Sequence, residues 1–531
     1  MPIRDAFAEG RQRGWKTINA AQLEQDLTLE VDIAIVGSGA GGATSAEILS
    51  AAGFKVLLIE EGGLFTSSDF KLQEHEAYPA LYQEGLGRMS KDGAITILQG
   101  RAVGGSTLVN WTSSFRTPEP TLAHWRSDHG VRGHGSDELA PWFARMEERL
   151  GISPWATPPN ANNDVLRRGC EQLGLHWQVI PRNVRGCWNL GYCGLGCPTN
   201  AKQSMLVTSI PALLDQGGEL LYFARAERLL LAGDRISALE CVAMDDRCVA
   251  PTGRRIQVYA RHYVLAGGSI NTPGVLLRSG APDPHQRVGK RTFLHLTTFS
   301  WAQFDEQINP FYGAPQSVYS DHFQWRDGAS GPMGYKLEVP PMQPGFSATV
   351  LGGTGVANPE LMQQLPNSNM MIALLRDGFH PDSAEGTVQL RKDGSAVLDY
   401  QLTDYTWDGV RRSFLSMAEI QFAAGARSVT PVHNDVRPAT SLAQARALIN
   451  ELDLRRFKTR LGSAHVMGGC AMGEDPGRSV VDSLGRHHQL ENLSIHDGSL
   501  FPTSIGANPQ LSVYAITARL SSLLAERLSP S

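Results

Sequence analysis

The stretch Val31-Asp-Ile-Ala-Ile-Val36-Gly37-Ser38-Gly39-Ala40-Gly41-Gly42, closed eighteen residues later by Lys55-Val-Leu-Leu-Ile-Glu60, decides the fold. Val31–Val36 is short, apolar and rich in β-branched residues, as a strand buried on both faces of a parallel sheet must be. Ala43–Ala52 is small and helix-favouring, and Lys55–Glu60 repeats the buried-strand composition. Strand, glycine turn, helix and strand within about 30 residues make a βαβ unit. Gly37 permits the tight turn, Gly39 lets backbone approach a pyrophosphate, and Gly42 lets helix and strand pack closely. The helix N-terminus adds unpaired N–H groups and a positive dipole end. Glu60 stands where a carboxylate accepts hydrogen bonds from ribose hydroxyls. The unit reads as a dinucleotide site and does not by itself separate FAD from NAD.

Outward from this unit, 531 residues allow three or four domains of about 150 residues, or two larger ones. Apolar residues at 42% and charged residues at 19% are a globular composition. Lys plus Arg is 48 and Asp plus Glu is 53, a formal charge of −5 that argues against a nucleic-acid partner. Residues 1–30 read as a polar, helix-prone lead-in. The N-terminus shows no apolar signal segment, and no apolar run is long enough to span a membrane. Cytoplasmic residence is the expectation, with peripheral membrane contact compatible. From about 285 to 405 the pattern changes to strand-like runs between turns: Thr297–Phe304, Ser317–Trp325, Tyr335–Val339, Asn369–Leu375, Thr387–Arg391 and Val397–Leu402. That alternation predicts a second, largely antiparallel sheet. Pro340–Gly355, rich in Gly and Pro, reads as a loop or lid. Trp407–Ala426, residues 441–457 and Pro509–Leu528 read as helices.

Two further passages carry chemistry. Gln99-Gly-Arg101-Ala-Val-Gly104-Gly105-Ser-Thr-Leu-Val-Asn110 places adjacent glycines where backbone N–H groups can face a ligand. Ser463-Ala-His465-Val-Met-Gly-Gly469 sets a histidine, whose ordinary pKa suits a general base, among glycines. Asp497-Gly498-Ser499 and Gly506-Ala-Asn508-Pro509 follow.

Together with Ala266–Gly280, and with Val288-Gly289-Lys290 ahead of His295, these ordered motifs resemble the glucose–methanol–choline (GMC) family of FAD-dependent oxidoreductases over residues 30–530. Ala281-Pro282 departs from the family pattern at a structural end of the third motif. The resemblance implies a mixed α/β fold. A Rossmann-like FAD domain would come from residues 28–113, 186–280 and 461–531. A substrate domain on a largely antiparallel sheet would come from 114–185 and 281–460. It implies that Gly37, Gly39, Gly42 and Glu60 hold the ADP half of FAD. Gly104, Gly105 and Asn110 would line the pyrophosphate and flavin, Arg101 would also bind the cofactor, Ala226 would contact adenine, and Asp497 and Gly498 would sit at the ribityl chain. The Pro509 helix would aim its N-terminus at the flavin. Leu108–Thr112 lacks the histidine that some members join to flavin, so non-covalent FAD is expected. His465 and Asn508 match the family's catalytic pair and imply oxidation of an alcohol to an aldehyde or ketone. Apolar, aromatic and Met residues between 299 and 375 favour a hydrophobic alcohol: long-chain, aromatic or sterol-like. The sequence does not choose among O2, a quinone and a cytochrome as electron acceptor.

Seven cysteines, an odd number, are too few for a disulfide scaffold. Cys187, Cys193 and Cys197 lie within eleven residues. Two readings stand: reduced thiols packed near FAD, and ligands of an iron–sulfur cluster like that of sugar or polyol dehydrogenases of the family. Cys193–Ser204 resembles the loop of long-chain alcohol oxidases and dehydrogenases, which favours the first. Zinc lacks an evident fourth ligand, and no metal site is assigned. His487-His488 reads as a surface turn. Two other functions compete with alcohol oxidation: a non-redox lyase of the same family, and an NAD(P)-dependent or non-catalytic dinucleotide-binding protein.

Overall fold

In the computed structural model, which describes residues 3–351 and 357–529, the βαβ unit forms from strand Leu27–Val36, helix Ala40–Ala51 and strand Val56–Ile59. The two strands pair in parallel from Ile33 opposite Val56 to Val36 opposite Ile59, with Ile33–Ile35 and Val56–Ile59 buried in the core and Val36 partly buried. The sheet grows on both sides of this pair. Its order is Lys16–Asn19, Glu219–Tyr222, Val56–Ile59, Leu27–Val36, Pro251–Leu265, Arg235–Met244 and Ala224–Ala232, and Leu493–Ile495 adds to Pro251–Leu265. The fifteen-residue strand Pro251–Leu265 extends well beyond the expected run from His262. Its first part pairs antiparallel with Arg235–Met244, and its end pairs parallel with Leu493–Ile495. One strand thereby joins an antiparallel meander to the parallel core.

The lead-in is more than helical. Helix Ala6–Gln12 is capped by Asp5, whose carboxylate accepts from the Phe7 and Ala8 N–H groups. Lys16–Asn19 then becomes the sheet's edge strand, parallel to Glu219–Tyr222. Burial of Phe7 and Trp15, packed edge to face, fixes it there. The strand's partner, Glu219–Tyr222, is distant in sequence, so local patterning sees only a polar lead-in.

The second sheet is largely antiparallel, as expected: Leu461–Ser463, Thr297–Gln303, Ser368–Leu375, Tyr335–Glu338, Val318–Ser320 and Gln178–Val179, with Ile95–Ile97 added in parallel at one edge. Its central pair runs from Thr297 opposite Leu374 to Gln303 opposite Ser368. Helix Asp404–Ala423 covers one face through Val410, Phe414 and Met417. A small four-stranded sheet, Ala396–Tyr400, Gly386–Leu390, Thr292–Phe293 and Met467–Gly468, ties the two bodies together.

Two local expectations change. Within Pro340–Gly355, residues Pro344–Leu351 form a helix, while 352–355 lie outside the described residues. The distant Glu74 accepts from the N–H groups of Gly345 and Phe346 at 2.6 and 2.8 Å, satisfying the first turn. His487 is buried, not a surface residue, and its Nδ1 accepts from the Gln489 N–H. His488 keeps a partner in Ser479 Oγ at 2.8 Å. Among the described residues, no helix is long and apolar enough to cross a membrane.

Candidate active site

A cavity of about 1180 Å³ runs from the glycine turn of the parallel sheet to the underside of the antiparallel one. It exceeds the ~300–1,000 Å³ of an ordinary small-molecule site, which leaves room for two ligands end to end. Gly37, Gly39, Glu60, Arg101, Gly105, Asn110, Ala226, Asp497, Gly498, His465 and Asn508 all line it. Gly42 and Gly104 do not, and both act from behind. A Cβ on Gly42 would stand 1.8 Å from the Gly37 carbonyl oxygen, so the absent side chain is what lets the helix seat on the turn. Gly104, at φ +102°, donates its N–H to Ser38 Oγ at 2.9 Å.

The dinucleotide end fits an anionic, two-ring cofactor. Gly39 and Gly105 press together so closely that a Cβ on Gly105 would lie 2.7 Å from the Gly39 Cα. This brings two glycine turns, 66 residues apart, to one wall of backbone. Arg101 Nε is buried with no protein partner, a donor suited to a phosphate oxygen. The carboxylates are less free than their sequence positions suggest. Glu60 accepts from Ser38 N–H and Oγ–H and from Gly62 N–H, and burial pushes its pKa up. Asp497 accepts from Gly268 N–H, Thr272 Oγ–H and Ser499 N–H, and burial raises it as well. Asn110 is held by its side chain, which donates to Gln510 Oε1 at 2.7 Å, at the start of helix Gln510–Leu528. Pro509 sits just ahead of that helix, so its missing N–H leaves no interior carbonyl unpaired.

At the other end His465 follows strand Leu461–Ser463 into the cavity wall. Its Nδ1 lies 3.0 Å from Nδ1 of His295, and the two rings stack at 5.2 Å. One Nδ1 donates and the other accepts, so the tautomers of the pair are coupled and Nε2 of His465 is the nitrogen left for a ligand. Burial and the Lys336 charge push the His465 pKa down to about 3. Burial, His465 and Lys336 likewise hold His295 well below its ordinary value. The imidazole facing the cavity is therefore neutral and basic in form. His295 adopts φ +49°. Asp377 anchors it there by accepting the backbone N–H groups of Leu294 and His295 at 2.8 and 3.0 Å.

Asn508 meets two side chains that sequence reasoning missed. Lys336 Nζ donates to Asn508 Oδ1 at 3.1 Å, and Asn508 Nδ2 donates to Glu338 Oε2 at 3.0 Å. Lys336 and Glu338 are themselves paired at 2.9 Å and almost wholly buried. Positions 336 and 338 share one face of a strand, while Tyr335 and Leu337 enter the core on the other. The alternation in Tyr-Lys-Leu-Glu was visible, but it ordinarily marks a solvated face. Here the polar face abuts the site.

The cysteine loop does not gather ligands. Among the described residues, no group of three or more His, Cys, Asp or Glu is placed to hold a metal. All three thiols are half-buried and free. Arg182 donates to Cys193 Sγ at 3.8 Å, Asn189 N–H to Cys187 Sγ at 3.4 Å, and Lys202 N–H to Cys197 Sγ at 3.5 Å. The loop is fastened to the cofactor end by Lys202, whose Nζ donates to the carbonyls of Leu108, Asn110 and Cys193 at 2.6, 2.9 and 2.7 Å.

Comparison with known proteins converges on one family. The N-terminal profile of GMC oxidoreductases matches residues 78–297 and the C-terminal profile residues 381–517. A long-chain-alcohol oxidase of Arabidopsis thaliana, FAO4B, is 29% identical over 97% of this chain and 70% of its own length. A GMC-type oxidoreductase of Mycobacterium tuberculosis is 30% identical over 91% of this chain and 74% of its own. Among solved structures, a formate oxidase of Aspergillus oryzae superimposes with a TM-score of 0.69 at 14% identity, covering 94% of this chain and all of the other. A pyridoxine 4-oxidase of Mesorbium loti gives 0.64 at 19% identity, covering 93% and 98%. At these identities the structures establish the shared fold.

Proposed function

Since the chain belongs to the GMC oxidoreductases, a family of FAD-dependent enzymes, we propose that it oxidises the CH–OH group of a hydrophobic alcohol to an aldehyde or ketone. The observation that carries this reading is the apolar wall of the cavity that His465 and Asn508 also line. Phe299 comes from strand Thr297–Gln303 and Met370, Ile372 and Leu374 from its partner Ser368–Leu375, and Met342 and Phe346 join them in the lining. Such a wall suits an alkyl chain or ring and leaves a sugar's hydroxyls without partners. The naming of Arabidopsis relatives as long-chain-alcohol oxidases agrees with it.

In this reading His465 Nε2 accepts the hydroxyl proton, which its neutral state permits. Asn508 Nδ2 donates its remaining N–H to the substrate oxygen as that oxygen gains charge. Bound FAD would supply the hydride acceptor for the hydrogen on the carbinol carbon. Gly37, Gly39 and Arg101 would hold its pyrophosphate, Glu60 a ribose, Ala226 the adenine, Asp497 and Gly498 the ribityl chain, and Gly105 and Asn110 the flavin. Binding is non-covalent, since Leu108–Thr112 offers no histidine. Residues 28–113, 186–280 and 461–531 serve the cofactor and 114–185 and 281–460 the substrate. Strands Ile95–Ile97 and Leu461–Ser463 reach across into the second sheet. The test is anaerobic addition of primary alcohols of rising chain length, benzyl alcohol and a sterol to the FAD-loaded protein. Bleaching of the visible flavin bands, more effective with longer chains, is expected. A yellow protein that none of them bleaches rejects the proposal.

A further inference from the structure

We propose that Lys336 and Glu338 are positioning residues that make Asn508 a one-way hydrogen-bond donor and tune the site for a negatively charged oxygen. The inference rests on alcohol oxidation as read above. A carboxamide can present either its oxygen or its nitrogen, and the two are near-isosteric. Here that ambiguity is removed from both sides. An ammonium has only donors, so the atom 3.1 Å from Lys336 Nζ is the amide oxygen. A carboxylate has only acceptors, so the atom 3.0 Å from Glu338 Oε2 is the amide nitrogen. Flipping Asn508 would oppose donor to donor and acceptor to acceptor inside a pocket where Asn508 and Glu338 are almost fully buried.

Once both contacts are made, one hydrogen on Nδ2 remains. It is the group Asn508 can offer to the cavity it lines. The Lys336 ammonium on Oδ1 also draws electron density along the amide. This strengthens that N–H as a donor, and more so for an alkoxide-like oxygen than for a neutral hydroxyl. Phe115 and Tyr319 hold the ammonium from the other side, their ring centroids 3.0 and 4.4 Å from Nζ. Neither Lys336 nor Glu338 lines the cavity, so they act through Asn508. A buried ion pair is costly in a fold and is seldom justified by stability alone, which fits a role in specifying one amide orientation.

Because only the charged oxygen benefits fully, the reaction rate should depend on Lys336 far more than ground-state binding does. A tertiary alcohol such as 2-methyldecan-2-ol carries the hydroxyl but no carbinol hydrogen, so it binds without reacting. Two quantities are read on FAD-loaded protein. One is the dissociation constant of that alcohol, from the perturbed visible spectrum; the other is the limiting anaerobic bleaching rate with 1-decanol. For Lys336→Met the expected result is a 30- to 100-fold slower limiting rate with less than a three-fold change in the dissociation constant. Lys336→Arg should recover most of the rate. Lys336→Met leaves Glu338 unpaired and can fail to fold, so the double variant K336M/E338M, without either charge, should show the same split. A limiting rate within three-fold of wild type in a folded variant overturns the proposal. Equal losses in rate and tertiary-alcohol affinity overturn it too. Wild-type flavin that no alcohol bleaches would instead refute alcohol oxidation itself.

Discussion

Replacing Lys202 by Met should weaken both the fold and FAD retention, and the size of the effect follows from its three contacts. Lys202 is 2% exposed and its Nζ donates to the carbonyls of Leu108, Asn110 and Cys193. Each carbonyl left buried without a partner costs about 1–3 kcal/mol, together roughly 3–9 kcal/mol. Against that stands the cost of burying the charge. Burial pushes the Lys202 pKa down from 10.5 to about 8, worth roughly 3 kcal/mol at pH 7 at 1.36 kcal/mol per pH unit. Met removes this cost along with the bonds, so the net loss should be about 3 kcal/mol, a melting drop of a few degrees. The sign of the pH dependence is fixed. A lysine whose folded pKa is lowered carries its penalty fully below about 8 and sheds it between about 8 and 10.5, where the neutral amine keeps two of its three N–H donors. The stability advantage of wild type over Lys202→Met should therefore widen by roughly 2–3 kcal/mol between pH 7 and pH 10. Comparing the two proteins cancels every other titrating group. Urea denaturation at pH 7, 8, 9 and 10 reads it, and flavin-fluorescence titration should show several-fold weaker FAD binding through Asn110. A gap that is constant or narrows with pH would refute the assignment of a buried, depressed ammonium.

Three other substitutions bear on the site. His465→Ala should retain FAD and lose about 100- to 10,000-fold in the anaerobic bleaching rate, measured by stopped flow, since the proposed proton acceptor is gone. Gly105→Ala should yield protein without visible flavin, because Gly105 has φ +54° and its new Cβ would press on the Gly39 Cα; an absorption scan decides it. Phe346→Ala, on helix Pro344–Leu351 over the apolar wall, should raise KM for dodecanol about ten-fold and leave that for ethanol unchanged, reflecting roughly 1.5 kcal/mol of lost apolar burial.

What the sequence made legible is what local chemistry encodes. The strand–turn–helix–strand unit, both glycine passages and the antiparallel character of the second sheet are all written in short windows of composition and period. His465 and Asn508 stood out for the same reason, each within a glycine-rich passage. The missed parts are long-range. Lys336 and Glu338 alternate with core residues as a solvated strand would, and only contacts distant in sequence, with Asn508 for both and with Phe115 for Lys336, bury them at the site. His295 was visible as part of a motif, yet its contact with His465 spans 170 residues. The helix at Pro344 depends on Glu74, and the edge strand at Lys16 depends on Glu219–Tyr222. The cysteine spacing invited a cluster, and among the described residues no group of three or more such ligands is placed to hold a metal.

The most direct measurement of the central claim is anaerobic bleaching of the bound flavin by 1-decanol and by 1,1-dideutero-1-decanol in parallel. Transfer of the carbinol hydrogen predicts bleaching to completion, decanal as product, and a several-fold slower limiting rate with the deuterated alcohol. Flavin that stays oxidised with both would contradict the account.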